Sequence, residues 1–141
     1  KDVEALKQGL KDGTIEVIST DHAPHSAEEK TGSMKNTPFG IVGLETSLPL
    51  TYTELVEKGV ITLKQMVEKM CLNPAKILGL ESGTLQEGHP ADVIIVDTEQ
   101  EYTIDKNKFV SKGHNTPFDG WKVKGKILYT ICDGKVVYQN A

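Results

Sequence analysis

The sequence lacks the features that mark membrane proteins, disulfide-stabilised secreted scaffolds and nucleic-acid-binding proteins. No apolar run approaches the roughly 20 residues of a membrane-spanning helix, and no signal-peptide pattern opens the chain. Its two cysteines, Cys71 and Cys132, are far apart in sequence, and we interpret them as reduced, buried thiols. The net charge of −4 argues against nucleic acid as a partner. We therefore expect a cytoplasmic protein without a membrane partner.

The composition is that of an ordinary globular protein. Apolar residues make up 38% of the chain and charged residues 26%, which is sufficient to build a buried core. A length of 141 residues suits one domain, or part of a larger one joined to a small neighbour. Because the sequence starts at Lys1 within a helical pattern, we interpret it as a piece of a longer protein.

The first half of the chain alternates helical and strand-like patterns, as α/β repeats do. Apolar residues recur at helical spacing in residues 2–12, and the β-branched stretch 14–20 predicts a short strand. A second helix is predicted over 44–59. Thr62 and Gln65 form a capping-box pair that predicts a third, and Asn73-Pro74 is predicted to cap and start a fourth.

The second half is rich in predicted strands. Asp133-Gly134 between two apolar runs is a strong signal for a two-residue hairpin turn. The change in pattern predicts a boundary near residues 81–83, which divides the chain into units 1–81 and 82–141. The strands are predicted at 93–96, 102–104, 126–132 and 135–139.

The chemistry-bearing stretch is Asp21-His22-Ala23-Pro24-His25, at the end of the predicted strand 14–20. Residues 21–42, which follow that strand, form a long loop, and such loops are usually functional. A carboxylate beside two imidazoles suits metal binding and proton transfer. On this pattern alone, a structural role remains open, in which Asp21 and His22 cap the loop and Pro24 fixes its turn.

The stretch from Asp21 to His25 resembles the end of the eighth barrel strand in dihydroorotases of the amidohydrolase superfamily. Later segments resemble the same family in the same order, so the resemblance covers nearly the whole chain. Asp21–His25 together with Pro38-Phe39-Gly40 favours dihydroorotases over their relatives. The remaining segments are Gly43–Thr46, Asn73–Leu80, Gly83–Asp92 and Asn115–Gly120.

The resemblance implies an α/β fold and a reaction. Residues 1–81 would supply the last strand and helices of a metal-dependent (β/α)8 barrel, and residues 82–141 part of a small composite β-sandwich. The implied activity is zinc-dependent hydrolysis of a cyclic amide. The hydrolysis is one direction of a reversible reaction, whose other direction is the cyclisation of N-carbamoyl-L-aspartate to L-dihydroorotate in pyrimidine biosynthesis.

The same resemblance assigns roles to four positions. Asp21 would be the metal-bound carboxylate that also carries the proton. His25 would hydrogen-bond the substrate's carboxylate. The backbone of Phe39 and Gly40 would contact the substrate, and Gly40 would permit that close approach because it has no Cβ. We expect His22 to make a supporting hydrogen bond rather than to bind metal.

The family's other metal ligands, an early His-x-His pair, a carboxylated Lys and two further His, have no counterpart in this sequence. We therefore expect the chain alone to be inactive, to bind zinc weakly if at all, and to form homo-oligomers. Two alternatives stay open. One is a cyclic amidohydrolase of the hydantoinase or allantoinase type. The other is a non-catalytic homologue that supports aspartate transcarbamoylase.

Overall fold

The computed structural model describes residues 1–140 as an α/β chain with a helical first half and a β-rich second half. Within these residues, no helix is long and apolar enough to cross a membrane. The helices are α1 (Asp2–Asp12), α2 (Ser47–Thr51), α3 (Leu63–Val67) and α4 (Asn73–Leu78), with a 3-10 turn at Lys106–Lys108. The strands are β1 (Val93–Asp97), β2 (Tyr102–Thr103), β3 (Lys122–Val123), β4 (Lys126–Cys132) and β5 (Lys135–Gln139).

Local sequence accounts for two of the helix ends. Gly13 ends α1 in the left-handed conformation that glycine adopts without strain. The capping box predicted before α3 is present: the Thr62 hydroxyl accepts from the Gln65 N–H at 3.2 Å, and the Gln65 side chain accepts from the Thr62 N–H at 2.8 Å. The capping box confirms the sequence prediction.

The prediction that Asn73 caps a separate helix is wrong. Helical backbone runs from α3 through a π-helical turn at Glu68–Leu72 into α4, and Asn73 is itself helical. Its side chain donates instead to the Glu16 carbonyl at 2.8 Å. Pro74 has no N–H and would crowd the carbonyl four residues before it, and the wider π turn accommodates the proline.

The predicted strand at residues 14–20 has no strand partner within residues 1–140. Isolated hydrogen bonds hold this segment instead. The Ile15 N–H donates to the Gly9 carbonyl at 2.8 Å, and the Ile18 N–H donates to the Lys69 carbonyl at 3.1 Å. The ammonium of the buried Lys69 donates to the Ile15 carbonyl. A strand is defined by pairing with a neighbour, and residues 1–140 supply no such neighbour to this segment. The prediction of a strand is therefore wrong for these residues taken alone.

The β-rich half forms a three-stranded antiparallel sheet in the order β1-β4-β5, and a separate pair of β2 and β3. The hairpin between β4 and β5 turns at Asp133 and Gly134, whose φ angles are 47° and 72°. Two successive positive φ angles are typical of a type I′ turn, which matches the twist of the strands. The predicted hairpin is confirmed.

The two halves are in contact, although much apolar surface stays exposed. The Lys124 N–H donates to the Thr53 hydroxyl at 2.9 Å, and the Lys124 ammonium pairs with Glu57 at 2.6 Å. The exposed area of 9848 Å² exceeds the about 7,200 Å² usual for a monomer of 15.4 kDa. Both cysteines are free and exposed, so the expectation of buried thiols is wrong for these residues.

Candidate active site

The loop 21–42 returns to its own beginning and is closed by backbone pairing. His22 forms an isolated parallel bridge with Ile41, and the Ala23 N–H donates to the Ile41 carbonyl at 2.9 Å. The two ends of the loop therefore lie side by side. Residues 21–25 and 39–41, which the sequence separates, are brought together at this closure.

His22 fixes the corner where the loop begins and ends. Its Nδ1 accepts from the Gly43 N–H at 3.0 Å and from the Leu44 N–H at 3.4 Å. A ring nitrogen that accepts carries no proton, so in the neutral ring the hydrogen lies on Nε2. The supporting hydrogen bond expected of His22 is present.

Asp21 precedes this corner and is exposed. Its φ of 44° is left-handed, a conformation that aspartate and asparagine tolerate better than other residues with a Cβ. An exposed carboxylate in a locally constrained backbone is accessible to a metal or a substrate. It supplies one ligand only.

His25 meets Phe39 across the closed loop. Its Nε2 lies 2.9 Å from the Phe39 carbonyl oxygen, and its Nδ1 lies 3.5 Å from a Glu29 carboxylate oxygen. The Ser26 N–H donates to the same carboxylate at 2.9 Å and is the main reason why the pKa of Glu29 lies below its usual value. The ring of His25 thus lies between the Phe39 carbonyl and the Glu29 carboxylate. The Phe39 side chain is 93% exposed.

Gly40 lies against Ala23, and its carbonyl is a meeting point for donors. Lys30 Nζ donates to it at 2.7 Å and also to the Pro38 carbonyl at 2.6 Å. The side-chain amide of Asn115 donates to the Gly40 carbonyl at 3.1 Å. Sequence reasoning missed Lys30 and Asn115 as neighbours of Gly40.

The residues described do not form a metal site by themselves. No group of three or more His, Cys, Asp or Glu side chains within residues 1–140 is placed to hold a metal ion. A protein site that holds zinc uses three or four protein ligands. Asp21 alone does not fit that requirement.

Comparison with known proteins identifies the family. The model of the amidohydrolase family matches residues 1–137. The chain belongs to the amidohydrolase family. The long closed loop after residue 20 is therefore a feature of an amidohydrolase chain.

This amidohydrolase chain is similar to curated dihydroorotases. It is 54% identical over 140 residues to a dihydroorotase of Bacillus cytotoxicus, and 53% identical over 140 residues to that of Acetivibrio thermocellus. Each match covers 99% of this chain and 33% of the relative. The chain thus spans about a third of the length of these relatives.

Solved structures with the same fold carry related names. An L-hydantoinase (dihydropyrimidinase) from Arthrobacter aurescens is 38% identical with a TM-score of 0.89, over 95% of this chain and 31% of that one. A dihydropyrimidinase from Brevibacillus agri is 26% identical with a TM-score of 0.89, over 97% of this chain and 31% of that one. The amidohydrolase fold is therefore shared with enzymes named for other cyclic substrates.

Proposed function

We propose that the whole protein to which these residues belong is a dihydroorotase. It would catalyse the reversible cyclisation of N-carbamoyl-L-aspartate to L-dihydroorotate, in de novo pyrimidine biosynthesis. The observation that carries the proposal is the 54% identity to a dihydroorotase along 140 residues. The closed loop supports it, because it gathers His25, Phe39 and Gly40 beside Asp21.

In this proposal Asp21 is the catalytic proton carrier and one metal ligand. Its exposed carboxylate would take a proton during attack on the ring amide and pass it to the leaving nitrogen; in cyclisation the transfers reverse. Zinc is the proposed metal, and it would polarise the reacting carbonyl. Its other ligands would come from parts of the relatives' length that this chain does not span.

The proposed substrate contacts come from the two sides of the loop closure. His25 would bind the substrate's carboxylate, and the backbone of Phe39 and Gly40 would contact the ring. Since Nε2 of His25 is already bonded to the Phe39 carbonyl at 2.9 Å, binding through that nitrogen would exchange this bond for one to the substrate. Nδ1 of His25 would still face the Glu29 carboxylate, 3.5 Å away.

We also propose the division into architectural units. Residues 1–81 would complete the (β/α)8 barrel, with residues 14–20 receiving parallel neighbours, and residues 82–141 would complete the β-sandwich. The switch from α4, which ends at Leu78, to β1, which begins at Val93, supports this boundary.

The assay that tests the proposal compares two substrates on the full-length protein. We expect turnover of L-dihydroorotate to exceed turnover of hydantoin by orders of magnitude in kcat/KM. The reverse preference would assign the protein to the hydantoinase class, for which the similar solved structures are named. No turnover of either substrate would favour the non-catalytic homologue that supports aspartate transcarbamoylase.

A further inference from the structure

We infer that Asn115 is a positioning residue for substrate binding. This inference rests on the proposed function. Asn115 lies in the β-rich half, about 90 positions along the chain from His25. From there, it holds both sides of the loop closure at once.

The side chain of Asn115 uses both ends of its amide on the loop. Its Nδ2 donates to the Ala23 carbonyl and to the Gly40 carbonyl, each at 3.1 Å, and its Oδ1 accepts from the His25 N–H at 3.1 Å. Two donors and one acceptor are therefore satisfied by three backbone groups. An amide supplies this combination, whereas a carboxylate or an aliphatic side chain does not.

The backbone around Asn115 reinforces the same attachment. Its carbonyl accepts from the Val42 N–H at 3.0 Å. Gly113, which is buried, lies so close to Pro24 that a Cβ on Gly113 would be 2.8 Å from the Pro24 Cβ. The segment 113–115 thus presses directly on the stretch between Asp21 and His25.

These contacts connect the groups proposed to bind substrate. The bond to the His25 N–H sets the backbone of that residue, and the bond to the Gly40 carbonyl fixes the peptide plane that follows Gly40. Asn115 is not itself a proposed substrate contact, but it bonds the backbone of two residues that are, His25 and Gly40. Its loss should therefore change the spacing between the His25 ring and the Phe39–Gly40 backbone, and weaken substrate binding more than the chemical step.

The test uses the full-length protein with Asn115→Asp and Thr53→Val. Asn115→Asp keeps size and the acceptor but removes both donated bonds and puts negative charge against two carbonyl oxygens. Thr53→Val is the matched control. The Thr53 hydroxyl also joins the two halves of the chain, because it accepts from the Lys124 N–H at 2.9 Å, but Thr53 lies outside the loop 21–42. Thermal midpoints of both variants are measured alongside kinetics.

We expect Asn115→Asp to raise KM for L-dihydroorotate about tenfold or more, with kcat reduced less than about threefold. Thr53→Val should leave KM unchanged even if its thermal midpoint falls equally. An unchanged KM in Asn115→Asp, or an equal rise in Thr53→Val, would overturn the inference. If Asn115→Asp does not fold, Gly113→Ala replaces it. The same rise in KM with little change in kcat is expected, and an unchanged KM would again overturn the inference.

Failure of the proposed function is distinguished by the wild-type protein. Absence of dihydroorotase activity in the wild type would contradict the proposed function. If the wild type instead hydrolyses hydantoin, the same two variants measured on hydantoin decide the role of Asn115 independently.

Discussion

Gly40 and Ala23 touch where the site loop closes: a Cβ on Gly40 would lie 2.4 Å from the Cβ of Ala23. Gly40 also has a φ of 105°, a conformation that side chains rarely adopt. Its carbonyl accepts from Lys30 and Asn115. Steric contact and backbone conformation therefore both require glycine at this position.

Gly40→Ala in the full-length protein should raise KM at least tenfold, because the loop must open to admit the methyl group. Gly32→Ala is the matched control. Gly32 has a φ of 125°, but a Cβ at this position would have no neighbour within 4 Å. Gly32→Ala therefore measures the effect of backbone strain without a steric clash. Steady-state kinetics check both variants. Equal KM values for the two variants would show that the contact with Ala23 does not control binding.

Asp21→Asn should lower kcat by orders of magnitude while the fold survives, since it removes the proposed proton acceptor. Asparagine is the suitable replacement, because it keeps the size and tolerates the φ of 44°. Loss of activity would then report chemistry rather than strain. Near wild-type turnover would contradict the role proposed for Asp21.

The control for this substitution is Asp133→Asn. Asp133 has a φ of 47°, almost that of Asp21, but lies in the hairpin turn between β4 and β5. Asn-Gly is a favoured type I′ pair, so kcat and the thermal midpoint should stay within experimental error of the wild type.

The parts of the fold that were predictable depend on residues close in sequence. The capping box at Thr62–Gln65 satisfies its hydrogen bonds within three residues, and the Asp133-Gly134 turn follows from the positive φ angles that its own two residues adopt. The strand predicted at 14–20 has no strand partner within residues 1–140, so local propensity gave the wrong result for these residues. Asn73 has the sequence of a cap, but its side chain reaches the Glu16 carbonyl instead.

The site was predictable only in part, because some of its contacts join residues that are far apart in sequence. His25, Phe39 and Gly40 were named from a family resemblance, and the structure brings them together at the loop closure. Asn115 contacts the loop across about 75 to 92 positions of sequence, and no periodicity or spacing signals such a contact. Its only available signal was membership of the segment Asn115–Gly120.

The stability of this chain should fall on acidification. The Gln100 and Glu99 N–H groups donate to Asp97 at 3.0 and 2.8 Å and lower the pKa of its carboxyl below the ordinary 3.8. A carboxyl with a lowered folded pKa stabilises the fold above its unfolded pKa, and this contribution disappears as pH falls through the folded value.

Urea midpoints of the chain measured between pH 6 and about 2.5 should therefore decline below about pH 4. Asp97→Asn should show a smaller decline, because it cannot be protonated in this range. Identical slopes for the wild type and Asp97→Asn would mean that Asp97 does not contribute to the acid sensitivity.

The purified chain should hold zinc only substoichiometrically. Asp21 is one ligand, and no cluster of three potential ligands exists within residues 1–140. Elemental analysis after dialysis against buffer checks this expectation. One tightly held zinc ion per chain would require a ligand set that the described residues do not show.

The isolated chain should self-associate through its exposed sheet. β5 is exposed along its whole length. Within residues 1–140 it is bonded on one side only, to β4, so its other side offers unpaired backbone groups. Val136 and Val137 are 58% and 63% exposed, on opposite faces of the strand. Light scattering should give a mass above 15.4 kDa at micromolar concentration.

Val137→Lys should shift the chain toward monomer because a charged edge resists pairing. Val110→Lys removes an even more exposed valine from a loop and should leave the mass unchanged. A wild-type monomer with a cooperative melt would show that these residues fold without covering that edge.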